Sequence, residues 1–331
     1  MPTASDLSLS AGDDRTDVLS DILSVVRLRS TFYFRAEFTP PWSVLVPNYR
    51  KVARFHVALR RGCWARIDKT GPLERIEAGD LVIIPHGSSH VLSDDPSHQP
   101  KLLDVVLAAA GYDGGGDLFF TEGAQASDAS DRTILVCGHF EFDERLQHPF
   151  FRSLPQLLVI RRADVSKAVL LEQALHLIEQ AAQRTGQGAA AIVNRLTEVF
   201  FIEIIRLHIA QTETPIGYLG ALSDPQIAAA LRAMHTEPQR GWTVDSLADI
   251  AHLSRARFAL RFNRLVGQPP LAYLRAWRMQ KAAQLIRLGR YPLVAIAHEV
   301  GYDSPRSFNR VFIQMFGMTP KEYGRRAALE P

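Results

Sequence analysis

The sequence predicts an α+β protein with an N-terminal antiparallel β-barrel, a helical middle segment and an all-α C-terminal region of two helix-turn-helix units. Three observations predict this organisation. They are short β-type segments between residues 20 and 160, apolar helical patterns between 165 and 211, and a repeat at an offset of 50 residues near the C-terminus. With 331 residues, 47% of them apolar, the chain is long enough for more than one folded core.

Short segments bounded by Gly, Pro or Asp dominate the first half of the chain. Several short strands with regular turns are typical of an antiparallel sandwich or barrel. The segments are Phe32–Phe38, Ala53–Leu59, Cys63–Ile67, Asp80–Pro85, Val91–Leu92 and Ile134–Val136. Residues 111–132 are rich in Gly, Asp and Ser and are predicted to be a mobile excursion, and residues 1–17 are predicted to be disordered.

Residues 79–90 read GDLVIIPHGSSH: a glycine, five residues, Pro-x-Gly, two residues and a histidine. This pattern resembles the second motif of the cupin superfamily. The resemblance implies a cupin-like barrel in which Pro85 ends a strand, Gly79 and Gly87 lie in tight turns, and His90 faces the interior.

The first cupin motif is missing. In cupin enzymes it supplies most of the metal ligands, as His-x-His followed by Glu, just before the glycine that corresponds to Gly62. Residues 48–56 read NYRKVARFH and contain neither element. We therefore expect no oxygen-activating centre and no enzyme activity. A cupin-type metal-dependent enzyme with a basic DNA-binding tail is the alternative.

Four side chains remain as candidate effector or sensor residues: His56, Cys63, His90 and Cys137. A barrel can bring them together although they are far apart in the sequence. A His/Cys set would suit Zn²⁺, with His56, His90 and Cys137 as ligands, and an accessible thiol of low pKa would suit an oxidant sensor. Core cysteines and hydrogen-bonded interior histidines are the ordinary alternative. Two cysteines do not indicate a disulfide framework.

Two helices are predicted after the barrel, at about 165–184 and 189–211. The second is apolar over most of its circumference, so it must be buried inside the chain or between subunits. Its apolar residues are Ile192, Val193, Leu196, Val199, Phe200, Phe201, Ile204 and Ile205.

Near the C-terminus, six residue types recur 50 positions later in the chain. The first copy contains Ser254, Phe258, Phe262, Gly267, Pro270 and Tyr273, and the second contains Ser304, Phe308, Phe312, Gly317, Pro320 and Tyr323. Each copy has a short apolar helix (Val244–Ala251 and Leu293–Val300), a tight turn, and a Ser able to cap the next helix. Phenylalanines four residues apart face one core. This plan predicts two helix-turn-helix units.

The outer faces of the second helices decide what these units contact. Arginine is suited to bidentate contact with guanine, and any cation can bind a phosphate. Solvated arginines on a surface helix are the alternative. The candidate DNA-binding residues are Arg255, Ala256, Arg257, Leu260, Asn263 and Arg264 in the first copy, and Ser304, Arg306, Ser307, Arg310 and Gln314 in the second.

Charge and spacing favour double-stranded DNA as the partner. Residues 221–331 contain 16 Lys and Arg against 8 Asp and Glu, a balance of +8, whereas the remainder has a balance of −5. A helix predicted from Pro270 to Leu288 joins the copies. At 1.5 Å per residue it is roughly 28 Å long, close to the ~34 Å between successive major grooves on one face of the duplex.

The stretch from Trp242 to Arg326 resembles the DNA-binding domain of the AraC/XylS family, through TVDSLADIAHLSRARFALRFNRLVGQPPLAYL, RMQKAAQLI and IAHEVGYDSPRSFNRVFIQMFGMTPKEY. The resemblance implies a transcription regulator, an activator that contacts RNA polymerase, with helices 165–211 pairing two chains in a homodimer. Family members often carry a polar or basic residue at the position of Leu260. Readout by the first copy therefore depends on Arg257 with thymine-methyl contacts, or on phosphates alone.

These observations predict five regions: a disordered N-terminus at 1–17, a cupin-like sensing domain at 18–163, a helical dimerisation segment at 164–211, a linker at 212–223, and the tandem helix-turn-helix domain at 224–326. We expect a cytoplasmic regulator without membrane contact, controlled by a small-molecule or oxidant effector, because the chain has no signal peptide and no long apolar run. A constitutive DNA binder with an effector-blind barrel is a further alternative.

Overall fold

The computed structural model describes residues 17–25, 28–48, 52–112, 118–121, 131–142, 148–165, 168–182, 188–212 and 217–329. The predicted disorder of residues 1–16 lies outside the described residues. In chain order the elements are α1 (Val18–Val25), β1 (Leu28–Thr39), β2 (Ser43–Val46), β3 (Val52–Arg60), β4 (Cys63–Ile67), β5 (Glu74–Ile76), β6 (Leu81–Ile84), β7 (His90–Ser93), β8 (Lys101–Leu102), α2 (Leu103–Ala109), β9 (Leu118–Thr121), β10 (Thr133–Phe142), α3 (Pro149–Arg152), β11 (Leu158–Ile160), α4 (Arg162–Val165), α5 (Val169–Ala182), α6 (Ala189–Gln211), α7 (Gly217–Ser223), α8 (Pro225–Thr236), α9 (Val244–Ile250), α10 (Arg255–Val266), α11 (Pro270–Leu288), α12 (Leu293–Glu299), α13 (Pro305–Phe316) and α14 (Pro320–Leu329).

The chain divides into two compact units. One contains residues 27–144 and 154–213, which form the sheets and the α5–α6 pair. The other contains residues 1–26, 145–153 and 214–331. Thus α1 and α3, which the sequence-based boundaries place with the sheets, pack with the C-terminal helices instead.

The first unit is built from two sheets, in the orders β11-β6-β3-β10-β1-β9 and β5-β4-β7-β2-β8. Most neighbouring strands are antiparallel, as predicted, but β9 is parallel to β1 and β8 is parallel to β2. The inner faces of both sheets contribute to one apolar core, which includes Phe34, Val44, Val82, Leu92 and Cys137.

Part of the predicted mobile excursion at 111–132 is a strand, because residues 118–121 form β9 and pair with β1. Residues 113–117 and 122–130 lie outside the described residues. Leu118 and Phe120 alternate with two exposed residues and are buried in the core, which stabilises the strand inside a polar sequence. The strands β2, β5, β8 and β11 were also not predicted. They are only two to four residues long, too short for a clear alternation of side chains.

Helices α5 and α6 pack against each other, and α6 also packs against β1. Phe200 and Phe201 are buried against Phe140, and Phe200 also contacts Phe55. Within the single chain only part of the α6 surface is buried, because Ile192 and Val199 are exposed. Burial of these residues between subunits stays a prediction.

The C-terminal helices confirm the predicted order of two short-helix, turn, long-helix units. Helix α11 spans Pro270–Leu288 as predicted and ends at Gly289 with φ of 65°. Phe258 and Phe262 are fully buried in the first copy, and Phe308 and Phe312 in the second. In the described part of the chain, we find no helix that combines the length and the apolar character needed to cross a membrane.

Candidate nucleic-acid interface and barrel interior

Helix α10 presents the predicted outer face of the first helix-turn-helix unit. Burial of Phe258 and Phe262 fixes its rotation, and all six candidates on it are exposed: Arg255, Ala256, Arg257, Leu260, Asn263 and Arg264. Leu260 is 74% exposed, a large apolar side chain with little protein around it. A thymine methyl group is a suitable contact for such a side chain.

Helix α13 presents the corresponding face of the second unit. Phe308, Phe312 and Phe316 are buried. Arg306, Arg310 and Gln314 are exposed, as is Ser304, whereas Ser307 is half-buried. Two guanidinium groups four residues apart on one exposed face are able to contact base edges or phosphates.

The two predicted serine caps differ. Ser304 Oγ accepts a hydrogen bond from the Ser307 backbone N–H at 3.2 Å, so both serines stabilise the start of α13. Ser254 occupies the same position before α10, but its side chain makes no capping bond, so that prediction is wrong for the first copy. Instead, Arg255 at the first helical position pairs with Asp245 at 3.2 Å.

Three of the four sensor candidates meet inside the barrel. On the first sheet, β1, β10, β3 and β6 place Phe34, Cys137, His56 and Val82 in one row across the inner face. His90 enters from the facing sheet on β7. His56 Nδ1 lies 3.1 Å from Cys137 Sγ, and His56 Nε2 lies 2.9 Å from His90 Nε2.

The backbone fixes the direction of this chain of hydrogen bonds. His90 Nδ1 lies 2.9 Å from the Ser88 carbonyl oxygen, which only accepts, so His90 Nδ1 carries the proton. Burial lowers the pKa of His90 to about 4 and lowers that of His56 well below its usual value, so both rings are neutral at pH 7. Consequently His56 Nε2–H donates to His90, and the Cys137 thiol donates to His56 Nδ1.

Neither cysteine has the properties of a reactive thiolate. Burial raises the pKa of Cys137 to about 12, and burial also raises the pKa of Cys63 to about 12. Both side chains are buried, and Cys63 lies in the same apolar core. The accessible thiol of low pKa that an oxidant sensor requires is therefore not found at either position.

Comparison with known proteins identifies both regions. Residues 17–210 match a family model described as Cupin, and residues 247–326 match one described as Helix-turn-helix domain. A putative AraC-like transcription regulator of Streptomyces lividans is 31% identical over 314 residues, which cover 95% of this chain and 99% of the relative. The chain belongs to the AraC family of transcription regulators and has an N-terminal cupin domain.

Two further relatives are HTH-type regulators. AlkR of Acinetobacter baylyi is 31% identical over 313 residues, which cover 94% of this chain and all of the relative. RclR of Escherichia coli K12, named an RCS-specific transcriptional activator, is 33% identical over 281 residues, which cover 83% of this chain and 85% of the relative. This AraC-family chain is a DNA-binding transcription regulator.

The cupin domain of this regulator does not present the predicted Zn²⁺ ligands to one point. Cys137 and His90 contact opposite edges of the His56 ring, so one ion is unable to bind all three side chains in this arrangement. No group of three or more His, Cys, Asp or Glu side chains within the described ranges is placed to hold a metal ion.

The structure adds Ser88 to the interior site of this regulator. Its contribution is a backbone carbonyl oxygen that fixes the tautomer of His90. Because any residue supplies a carbonyl, the sequence contains no side-chain signal for this role. Only the tight turn at Gly87, with φ of 62°, indicates that the backbone before His90 is constrained.

Proposed function

We propose that this regulator reads DNA with α10 and α13, binds an effector in its cupin domain, and acts as a homodimeric activator that contacts RNA polymerase. The observation that carries the proposal is the exposure of cationic side chains on both second helices, while their phenylalanines are buried. Footprinting of the regions upstream of neighbouring genes tests it, with protection of two adjacent major grooves as the expected result. Absence of any protected site contradicts it.

The proposed activator role is supported by RclR, which is itself named a transcriptional activator. We propose no enzyme activity for this chain, since all three relatives described above are named as regulators. Metal analysis together with a turnover assay discriminates this from the cupin-enzyme alternative. Stoichiometric iron or manganese with turnover would favour the enzyme.

The proposed dimer contact is an apolar stripe on α5 and α6, defined by Leu170, Leu177, Ile192 and Val199. Within each helix the two residues are seven positions apart, so they lie two turns apart on the same face. Their side chains are between 45% and 55% exposed. A second copy of the chain is a suitable partner because the same stripe on both copies satisfies two-fold symmetry.

Replacement of Ile192 and Val199 together by Asp is expected to convert a dimer into a monomer. Two carboxylates from each chain would then have to be buried without partners, which costs several kcal/mol. Sedimentation equilibrium measures the mass. Val105→Asp is the control, because it places a single carboxylate at a comparably exposed apolar position on α2. An unchanged mass for the double variant contradicts the proposed dimer contact.

We propose a non-thiol effector, because the buried Cys137 thiol is engaged as a hydrogen-bond donor. Cys137→Ser is expected to leave the effect of hydrogen peroxide on operator binding unchanged from the wild-type protein. Serine also donates a hydrogen bond to His56 Nδ1 but lacks the oxidisable sulfur. Operator affinity is measured with and without peroxide, with Cys63→Ser as the companion variant. Selective loss of a wild-type peroxide response in Cys137→Ser would establish thiol sensing.

A further inference from the structure

Arg278 lies on α11 between the two helix-turn-helix units and contacts the entrance to the first. Its Nε donates to the Pro238 carbonyl oxygen at 2.6 Å, and its Nη2 donates to the Arg240 carbonyl oxygen at 2.8 Å. Both carbonyls belong to the turn that ends at Thr243, the residue capping α9. The guanidinium group therefore holds the backbone that leads into the first unit.

That entrance turn is itself rigid. Trp242 is buried, and its indole N–H donates to the Glu237 carbonyl oxygen at 2.9 Å. The guanidinium group of Arg240 lies 4.2 Å from the centre of the Trp242 ring and also pairs with Glu237. Because these contacts hold the turn in one conformation, the hydrogen bonds from Arg278 to the turn also fix the position of α9.

The same side chain reaches the second unit. Arg278 Nη1 donates to the Gly301 carbonyl oxygen at 3.4 Å, in the turn between α12 and α13. Its guanidinium group also lies 5.9 Å from the centre of the Tyr302 ring, which packs edge-on against Phe308 in the core of α13. One guanidinium group thus joins the turns of both units.

Gly301 shows how closely this contact is fitted. Its φ is 78°, and a Cβ at this position would lie 2.8 Å from both Arg278 Nη2 and the Gln239 carbonyl oxygen. Both the backbone conformation and the available space require glycine here. The turn of the second unit therefore packs against the Arg278 guanidinium group with no room for a side chain at position 301.

We propose that Arg278 is a positioning residue that sets the relative orientation of α10 and α13, and so the half-site spacing that the regulator accepts. The inference rests on the proposed reading of DNA by both helices. A planar guanidinium group donates in several fixed directions, so its bonds to both turns restrict rotation of the units about α11. Pre-organisation of this kind favours DNA in which both half-sites have the matching geometry.

The test uses the full-length protein and a duplex that the wild-type protein selects from a randomised pool. A second duplex has one base pair inserted between the half-sites, which rotates one groove by about 35° and moves it by about 3.4 Å. We expect the wild-type protein to lose about 100-fold in affinity on the second duplex, because only one unit then binds in register. The slope of affinity against salt concentration should fall as well.

Arg278→Met is expected to bind the selected duplex about tenfold more weakly than the wild-type protein does. The inserted base pair should then reduce the affinity of this variant by less than about fivefold. Its salt slope should be the same on both duplexes, because loosely joined units still bind together. Arg278→Lys should behave like Arg278→Met, since one ammonium group lacks the planar donors that reach both turns. Gly301→Ala should reduce discrimination between the two duplexes in the same way, because its Cβ displaces the Arg278 guanidinium group without changing Arg278 itself.

Arg287→Met is the matched control. Arg287 is also a half-buried arginine on α11, and its Nη1 donates to Tyr323 Oη at 3.2 Å within the second unit. The control should retain the wild-type discrimination against the inserted base pair. The inference is overturned if the Arg278 variants discriminate between the two duplexes as strongly as the wild-type protein does. It is also overturned if these variants lose the same factor of affinity, relative to the wild-type protein, on both duplexes. Absence of discrimination by the wild-type protein also overturns the inference, because both units then bind either spacing. The proposed two-helix reading is tested separately, by the affinity of Arg306→Ala and Arg310→Ala for the selected duplex.

Discussion

Replacement of Arg306 or Arg310 by Ala is expected to cost about 1–3 kcal/mol of binding free energy each and to relax base preference at one position. The cause is the loss of a bidentate contact to guanine from the exposed face of α13. Stability should change little, because both side chains are exposed and the core of this unit is formed by Phe308, Phe312 and Phe316.

Affinity measured on the selected duplex and on its single-base variants, across a range of salt concentrations, checks this expectation. Lys69→Ala removes one exposed cation from the cupin domain and controls for net charge. If Arg306→Ala weakens all sequences equally and reduces the salt slope by about one, Arg306 is a phosphate contact. Unchanged affinity in both variants would remove α13 from the interface.

The C-terminal helices could be predicted from the sequence because their signals are local and occur twice. Phenylalanines four residues apart, a serine before each second helix and a glycine after it mark the same boundaries in both copies. The position of Arg278 could not be predicted. Its partners are backbone carbonyls 38 and 40 residues before it and 23 residues after it, and carbonyls leave no trace in a sequence.

The barrel was predicted less completely, because its pairing is non-local. His56 and Cys137 are 81 residues apart, and only the register of β3 with β10 brings them together. The sequence identified both as candidates by residue type. The apolar sequence around Cys137 is compatible both with a core cysteine and with an accessible thiol. The structure decides between them, because burial raises the pKa of Cys137 to about 12.

A second buried polar cluster, centred on Tyr273 in the C-terminal unit, explains why α1 and α3 pack there. Tyr273 Oη lies 2.6 Å from Tyr218 Oη, 2.6 Å from His235 Nε2 and 3.2 Å from His148 Nε2. His148 precedes α3, and His235 Nδ1 is 3.2 Å from the Asp21 carboxylate on α1. Hydrophobic periodicity gave no signal for these contacts, which depend on two histidines and two hydroxyl groups.

The Tyr273 cluster requires both histidines to be neutral. His148 Nδ1 accepts from the Phe150 backbone N–H at 3.2 Å, so its Nε2–H donates to Tyr273. His235 donates through Nδ1 to Asp21 and accepts the Tyr273 hydroxyl proton at Nε2. Protonation of either ring would place a second donor against an existing donor, and burial lowers the pKa of both histidines.

The free energy of unfolding of the C-terminal unit is therefore expected to fall as pH drops below 6.5, the ordinary histidine pKa. Above that pH neither state binds the protons, and the stabilisation is complete. Below it the unfolded state binds protons that the folded state excludes, until the pH reaches the lowered pKa values of the folded protein. His148, whose pKa burial lowers well below the ordinary value, then contributes a loss of about 1.4 kcal/mol per pH unit. His235 adds a smaller loss, because burial lowers its pKa while the hydrogen bond to Asp21 raises it.

Urea unfolding at about pH 7.5 and about pH 5.5, followed by tryptophan fluorescence, measures this loss. His148→Asn keeps an acceptor for the Phe150 N–H but does not titrate, so its loss per pH unit should be smaller by about 1.4 kcal/mol. His298→Gln, at an exposed position on α12, should behave like the wild-type protein. The slope of unfolding free energy against pH is set only by the difference in bound protons between the unfolded and folded states. If His148→Asn and the wild-type protein show the same slope, His148 is not the group that excludes a proton.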